Sequence, residues 1–134
     1  MKESLRPVTR AQQYAQKAFE KVQIQAKIST KDLRDKYSGF AKRFPSLIHS
    51  CGLAQALAFA QAKAPVGYLE DLSFVLNRGN PEVLFDNTRK AEIPEYIQLS
   101  REAIAAAGWL KRYAEALIQD EEDKQQETNH ASLS

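Results

Sequence analysis

The side chains that carry most protein chemistry are few in this chain and are poorly placed for it. The only cysteine, Cys51, follows His49 by two positions in a helical stretch, and such residues point about 200° apart around a helix axis. We therefore expect no nucleophile–base pair, and we interpret Cys51 as a small buried apolar residue. Two histidines and one cysteine cannot supply a zinc site of four His and Cys ligands.

The remaining signals for catalysis are equally weak. The five glycines are scattered at positions 39, 52, 67, 79 and 108, so the sequence has no glycine-rich phosphate loop. Carboxylates at positions 70, 71, 82 and 86 fall near predicted helix ends and a loop, where solvent accounts for them. We predict no catalytic residue, no metal site and no cofactor, so the chain is not expected to be an enzyme.

Basic side chains form a more distinctive pattern on a predicted helix over residues 8–27. Arg10, Lys17 and Lys21 lie within about 20° of one another around its axis, and Tyr14 lies near them. This helix contains one acidic residue, whereas ordinary surface helices mix both signs of charge. A solvated lysine face and a face that contacts an anionic partner both remain open as interpretations.

A second basic cluster, Lys42 and Arg43, follows at the end of the next predicted helix. Cations stabilise a helix C-terminus, so part of this cluster needs no binding partner. Lys63 lies at the far end of the following helix and is a further candidate. If the first two helices pack as an antiparallel pair, both clusters could line one groove.

Charge is distributed unevenly along the sequence. Residues 1–44 carry a net charge of +7, residues 45–119 carry −1, and residues 120–134 carry −4. The last segment has almost no apolar residues, which predicts a disordered acidic tail. We therefore expect one helical domain over residues 1–119, followed by the tail over residues 120–134.

Length and composition limit the class of protein. With 134 residues, 43% of them hydrophobic, the chain can bury one core without disulfides. No apolar run approaches the roughly 20 residues that span a bilayer, and no signal peptide is visible, so no membrane partner is expected. A single cysteine suits a reducing compartment, which favours a cytoplasmic location.

Helical periodicity extends over most of the chain, and no strand pattern is present. After the first helix, a second is predicted from Thr30 to Pro45, and an apolar central helix with a buried Phe59 over residues 46–63. A fourth begins at Pro65, residues 82–92 are ambiguous, and a long last helix begins near Pro94. These elements predict a compact all-α bundle of about five to six helices.

Trp109 lies off the main apolar stripe of the last helix, on the side of Arg101 and Arg112. One interpretation is a second buried face of that helix. The other is a partly exposed anchor for another subunit, since tryptophan and arginine are enriched at interface hot spots.

Three motifs together resemble a known family. They are listed here in chain order: Arg10-x-x-x-Tyr14-Ala15-x-x-Ala18-x-x-x-Val22; Tyr37-x-x-x-x-Lys42-Arg43-x-Pro45-x-x-Ile48-x-x-x-Gly52-Leu53-x-x-Ala56-x-x-Phe59-x-x-x-Lys63; and Trp109-Leu110-x-x-Tyr113-Ala114-x-x-Leu117. This pattern resembles the small α-helical subunit, the fifth, of the type III-B CRISPR RNA-guided effector called the Cmr complex. The resemblance covers about residues 8–119, and its most specific part runs from Tyr37 to Lys63.

The resemblance implies a structural role in antiviral and anti-plasmid defence. In such complexes, copies of the small subunit stack into a short filament, opposite backbone subunits that hold the guide RNA. The target RNA runs between the two filaments, and the reactions belong to the backbone and large subunits. The implied partners are those subunits, further copies of this chain and the guide–target RNA duplex. The resemblance does not say which residues contact the RNA, so the charge layout supplies the candidates: Arg10, Lys17, Lys21, Lys42, Arg43 and Lys63.

Two other classes of function remain open from the sequence. The first is a stand-alone helical adaptor that binds a protein partner through the Trp109 face. The second is a free nucleic-acid-binding protein, which the modest net charge and the acidic tail make less favourable.

Overall fold

The structure is a computed structural model that describes residues 8–28 and 30–118, where the chain forms six α-helices and no strand. In chain order these helices are α1 (Arg10–Ile28), α2 (Lys31–Cys51), α3 (Leu53–Lys63), α4 (Tyr68–Val75), α5 (Pro81–Lys90) and α6 (Ile93–Leu117). The all-α prediction is confirmed for these ranges. The predicted tail over residues 120–134 lies outside the described residues.

Side chains at the helix starts satisfy backbone N–H groups that have no partner within the helix. Thr9 and Gln12 form a reciprocal capping box on α1, in which each backbone N–H donates to the other side chain, at 2.8 and 3.0 Å. The Thr30 hydroxyl accepts from the Leu33 N–H in the same way at the start of α2. These caps fix where the first two helices begin.

The stretch that the sequence left ambiguous, residues 82–92, belongs mostly to α5. Asn80 caps this helix by accepting a hydrogen bond from the Val83 N–H at 3.0 Å, and Pro81 occupies the first helical position. At the other end, Asp86 pairs with Arg89 and Lys90 within the last turn. The local signals for a helix were therefore present at both ends.

Three predicted helix boundaries are wrong, and one of them is the start of the fourth helix, which lies at Tyr68 rather than at Pro65. The second helix continues through Pro45 to Cys51, because the loss of one backbone N–H is offset by the burial of Phe44 and Ile48 on either side. The break comes at Gly52, whose φ of +86° is a conformation that favours glycine. The predicted central helix over residues 46–63 is consequently divided between α2 and α3.

The central helix of the bundle is α6, which packs against α1, α2 and α4. The Tyr96 hydroxyl near its start accepts from the Ala54 N–H at 3.0 Å, while Trp109, further along, lines a groove with Pro45. Thus α2 runs antiparallel to α6. The Tyr96 contact also caps α3, because the N-cap residue of this helix, Gly52, has no side chain to do so.

The prediction that Phe59 is buried is wrong, since 48% of it is exposed. The buried positions of α3 are Leu53, Ala56, Leu57 and Ala60, which follow the i, i+3, i+4, i+7 spacing of one helical face. Phe59 lies at the edge of that face. Among the described residues, no helix is long and apolar enough to cross a membrane.

Candidate RNA and subunit interfaces

The three basic residues that the sequence placed together on α1 do share one surface, which we call the α1 strip (Arg10, Lys17 and Lys21). Arg10 donates a hydrogen bond to the Glu102 carboxylate of α6 at 2.9 Å. Glu102 also pairs with Arg78 at 3.4 Å, and its side chain is only 13% exposed. The N-terminal end of the α1 strip therefore belongs to an ion-pair network that ties α1 to α6.

The other two members of the α1 strip contact α4. The ammonium groups of Lys17 and Lys21 lie 5.3 and 4.4 Å from the centre of the Phe74 ring, within the range of a cation–π interaction. Lys17 also donates to the Asn77 side-chain oxygen at 3.5 Å. Every residue of the α1 strip thus has an intramolecular partner, although both lysines remain partly exposed.

Tyr14 lies beside the α1 strip but belongs to the buried face of α1. The sequence placed this residue beside the basic side chains, but its ring is buried together with Ala18 and Val22. Burial, followed by the nearby Glu102 carboxylate, raises the pKa of Tyr14 above its usual value. The buried face of α1 is therefore rotated toward the strip, which brings the lysines against the neighbouring helix.

The second basic site, which we call the α2–α3 groove, combines cations with aromatic rings. In its aromatic half, of about 410 Å³, Arg43 and Lys63 stand beside Phe44 and Phe59. A polar half of about 390 Å³ continues past Gly39 and is also lined by Arg43 and Lys63. Lys42, the other predicted residue of this cluster, is half-buried and lines neither half.

The cations of the α2–α3 groove differ from those of the α1 strip in their partners. Within residues 8–28 and 30–118, no carboxylate forms an ion pair with Arg43 or Lys63. Lys36, in the polar half, pairs with Asp32 at 3.2 Å, and of the described residues that line this half only Asp35 is acidic. The groove therefore presents excess positive charge to an incoming anion.

A shared groove required the first two helices to pack together as an antiparallel pair, and that condition is not met. Both α1 and α2 pack mainly against α6, and α1 also packs, to a smaller extent, against α4. Arg10, Lys17 and Lys21 therefore face Glu102 or Phe74, whereas Arg43 and Lys63 line the groove between α2 and α3. The structure brings Arg43 and Lys63 together, but it separates them from the α1 strip.

Trp109 lines a groove of about 680 Å³ on α6, which we call the Trp109 groove. Its ring is half-buried, stacks on Tyr113 with centres 5.9 Å apart, and has the Arg112 guanidinium 4.8 Å from its centre. Arg101 is exposed but does not line this groove. The ring thus serves the core on one side and a solvent-facing groove on the other.

A buried acid that the sequence did not single out lies where α4 meets α1 and α2. The Asp71 carboxylate accepts hydrogen bonds from the Tyr37 hydroxyl at 2.7 Å and from the Gln25 amide at 3.5 Å. Burial raises the pKa of Asp71, although these two hydrogen bonds and the charge of Lys21 act in the opposite direction. The sequence placed this carboxylate at a solvated helix end, because only tertiary packing buries it.

The Cys51 thiol points at its own helix. Its Sγ donates to the Leu47 carbonyl oxygen at 3.1 Å, and His49 is exposed. Among the described residues, no group of three or more His, Cys, Asp or Glu side chains is arranged to hold a metal ion.

Comparison with known proteins identifies the family of the chain. Residues 10–117 match the family described as CRISPR-associated protein (Cas_Cmr5), and this range runs from the first residue of α1 to the last residue of α6. The chain belongs to the Cmr5 family. The resemblance found in the sequence is thereby confirmed.

One curated protein and one solved structure show how close the likeness is. The CRISPR system Cmr subunit Cmr5 of Thermus thermophilus is 40% identical over 115 residues, which are 84% of this chain and 98% of that protein. A crystal structure of a Cmr5-family protein from the same organism, also 40% identical, superposes with a TM-score of 0.77. That match covers 84% of this chain and all of the solved chain. Fold and family therefore agree with those of Cmr5 proteins.

Proposed function

We propose that this Cmr5-family chain is a non-catalytic structural subunit of a Cmr RNA-guided effector. In this role it assembles with the other Cmr proteins, stacks with its own copies and contacts the guide–target RNA through basic helices. The observation that carries the proposal is the family match over residues 10–117, which includes all six helices. The RNA and stacking contacts have separate support from charge and exposure.

The α2–α3 groove is the better candidate for RNA contact. Arg43 and Lys63 extend from two different helices toward one groove, and within the described ranges neither has an acidic partner that would compete with a phosphate. The α1 strip is a second candidate, since Lys17 and Lys21 remain partly exposed beside Phe74. Contacts of this kind grip the RNA backbone, so the guide sequence alone would select the target.

Exposed aliphatic side chains at the two ends of the bundle support stacking of copies. Because α6 is antiparallel to α2, the residues near the end of α1 and the start of α2, Ile28 and Leu33, lie at the end of the bundle where α6 finishes. Ile93 and Ile97 lie where α6 begins, and all four side chains are exposed. Two different apolar ends favour a head-to-tail contact, which builds an open filament rather than a closed dimer.

The Trp109 groove is the proposed contact with another Cmr protein. Half of an aromatic ring, with Arg112 over it and exposed Arg101 on the same helix, has the composition of an interface hot spot. Trp109→Ala should reduce incorporation of the chain into the effector while leaving the helical content of the isolated chain largely intact. Unfolding of the isolated variant would contradict this assignment and favour a purely structural ring.

Purification of a tagged chain from its native cells tests the proposal as a whole. We expect the other Cmr proteins and a guide RNA to co-purify with it, and a tagged Trp109→Ala variant to retain less of both. Recovery of the wild-type chain alone, or with a protein unrelated to CRISPR systems, would contradict the proposal. The second of these results would favour the adaptor role.

Salt dependence of RNA binding tests the basic contacts. In a reconstituted effector, Arg43→Ala with Lys63→Ala should lower target-RNA affinity and reduce the slope of log K against log salt by about 1–2. Lys17→Ala with Lys21→Ala should act in the same direction but less strongly. A double variant of α5, Arg89→Ala with Lys90→Ala, removes the same charge elsewhere and serves as the control. Equal effects of the three double variants would mean that only net charge matters.

A further inference from the structure

The aromatic half of the α2–α3 groove has a chemistry that phosphate binding does not require. The Phe40 and Phe59 rings are parallel, with an interplanar angle of 5° and centres 6.3 Å apart, and Phe40 also stacks on Phe44 at 5.2 Å. Phe40 and Phe44 are buried, but 48% of Phe59 is exposed. An aromatic stack therefore continues from the core to the surface and ends in an open ring.

The position of the cations relative to this ring suggests a ligand. Arg43 and Lys63 line both halves of the groove, so they stand between the aromatic half and the polar half. A nucleotide joins a flat apolar base to an anionic phosphate, and sites for single strands combine aromatic rings with a basic groove. A volume of about 410 Å³ in the aromatic half falls within the range of small-ligand pockets.

We propose that the α2–α3 groove binds an unpaired ribonucleotide, with its base against Phe59 and its phosphate at Arg43 and Lys63. The proposal rests on the RNA contact proposed above and deepens it, because it distinguishes single-stranded RNA from duplex RNA. Bases inside a duplex are stacked on each other and offer no free face to Phe59. The groove therefore favours a stretch of RNA outside the guide–target duplex, or a base displaced from it.

The polar half indicates how the strand continues. Gly39 leaves this half open, since a Cβ atom at that position would have no neighbour within 4 Å. Lys36 lies there as well, and its ion pair with Asp32 is exposed on both sides. An exposed pair of this kind exchanges readily for a phosphate contact, because it contributes little to stability. The backbone next to the bound base is thus expected to pass over Gly39 toward Lys36.

A competitor for this groove is a peptide from a partner protein, since an exposed phenylalanine also fits an apolar side chain. Two flanking cations that have no acidic partner within residues 8–28 and 30–118 favour the nucleotide, because an apolar peptide gains nothing from them. An oligouridylate and a blunt-ended RNA duplex of the same length, each titrated with the full-length chain, test the nucleotide, and a chain that binds no oligouridylate would leave the peptide as the occupant.

The decisive variant is Phe59→Leu, which keeps an apolar side chain against Phe40 but removes the aromatic face. It should weaken oligouridylate binding about tenfold, the order expected for the loss of one stacked base, and leave duplex binding unchanged. Upfield shifts of the Phe59 ring protons on addition of oligouridylate should accompany binding. Phe85→Leu, a partly buried aromatic residue of α5 outside the groove, is the matched control and should change neither affinity.

The possible results are distinguishable from one another. If Phe59→Leu has no effect while Arg43→Ala with Lys63→Ala weakens both ligands, base stacking is refuted and the backbone contact stands. Equal weakening of both ligands by Phe59→Leu would also refute stacking. If the wild-type chain binds no oligouridylate at all, the nucleotide is the wrong occupant. Co-purification with Cmr proteins in that case would leave the subunit role intact.

Discussion

The α1 strip and the α2–α3 groove carry the same kind of charge but hold it in opposite ways. On α1, Arg10 is paired with Glu102, and the two lysines lie against Phe74. In the groove, Arg43 and Lys63 have no carboxylate partner among the described residues. Basic residues that are aligned on a helix can therefore serve the fold, whereas cations without partners across two helices are available for a ligand.

The largest difference in stability is expected between alanine variants of two phenylalanines of the α2–α3 groove. Phe44 is 1% exposed, stacks on Phe40 and meets the Tyr68 ring edge to face, so Phe44→Ala should lower the free energy of unfolding by about 3–5 kcal/mol. Phe59→Ala should cost only about 1 kcal/mol, because half of that side chain is already in water. Denaturant titration of both variants measures the difference. Similar losses would mean that the aromatic half of the groove is part of the core.

The next prediction compares the stability of one variant from each basic region. Glu102 accepts from Arg10 and Arg78 in a largely buried position, so Glu102→Ala should lower the free energy of unfolding by about 1–3 kcal/mol. Arg43→Ala should change it by no more than about 0.5 kcal/mol, since it breaks no ion pair within the described ranges. Thermal and urea unfolding of the two variants checks this order. A reversed order would show that the groove, rather than the strip, is the structural site.

Much of this contrast was beyond the reach of the sequence, and particular residues show why. Helix type followed from apolar spacing, and the Thr9 cap was visible locally, because both depend on neighbours three or four positions away. The partners of Arg10 and Lys21 were not visible, because Glu102 and Phe74 are distant in sequence. Pro45 was interpreted as the end of the second helix, and only the packing of Phe44 and Ile48 shows that the helix continues to Cys51.

The candidate sites were predicted with similar limits. Arg43 and Lys63 could be named from the charge pattern and from the family resemblance, and the structure does bring them together in one groove. The exposure of the Phe59 ring could not be predicted, because this residue follows an apolar run that is typical of a buried helix. Whether a residue of this run faces solvent depends on its angular position around the helix axis. The wrong helix boundaries had shifted that position for Phe59.

A pH titration probes the side of the bundle that carries the α1 strip. Burial raises the pKa of Asp71 above the unfolded value of 3.8, so the folded chain binds this proton more tightly than the unfolded chain does. Its contribution to stability is therefore greatest below that value and is lost as the pH rises through the raised pKa. Asp71→Asn keeps an acceptor for the Tyr37 hydroxyl but cannot titrate.

The test is the difference in the free energy of unfolding between wild type and Asp71→Asn, measured from low to neutral pH. This difference should move in favour of the variant as the pH rises. Arg43→Ala should follow the wild-type pH profile, because Asp71 does not line the α2–α3 groove. A constant difference between wild type and Asp71→Asn would show that Asp71 titrates alike in both states.

The variant with the smallest expected effect on stability, Gly39→Ala, tests where the RNA strand passes without changing the charge of the groove. Gly39 lies inside α2, and an added Cβ atom would meet nothing within 4 Å, so Gly39→Ala should raise the free energy of unfolding by about 0.5–1 kcal/mol. If RNA passes over Gly39 in the polar half, the new methyl group should also weaken oligouridylate binding, without any change in charge. A more stable protein would then be a weaker binder.

Gly108→Ala is the matched control for that change. Gly108 lies inside α6, its added Cβ atom would meet only the end of the Arg112 side chain at 4.0 Å, and it is outside the α2–α3 groove. It should stabilise the chain by a similar amount while leaving oligouridylate affinity unchanged. Because both variants add one methyl group to a helix, a loss of RNA affinity confined to Gly39→Ala locates the strand in the groove. An equal affinity for both would place the RNA elsewhere, and the α1 strip would then be the next surface to test.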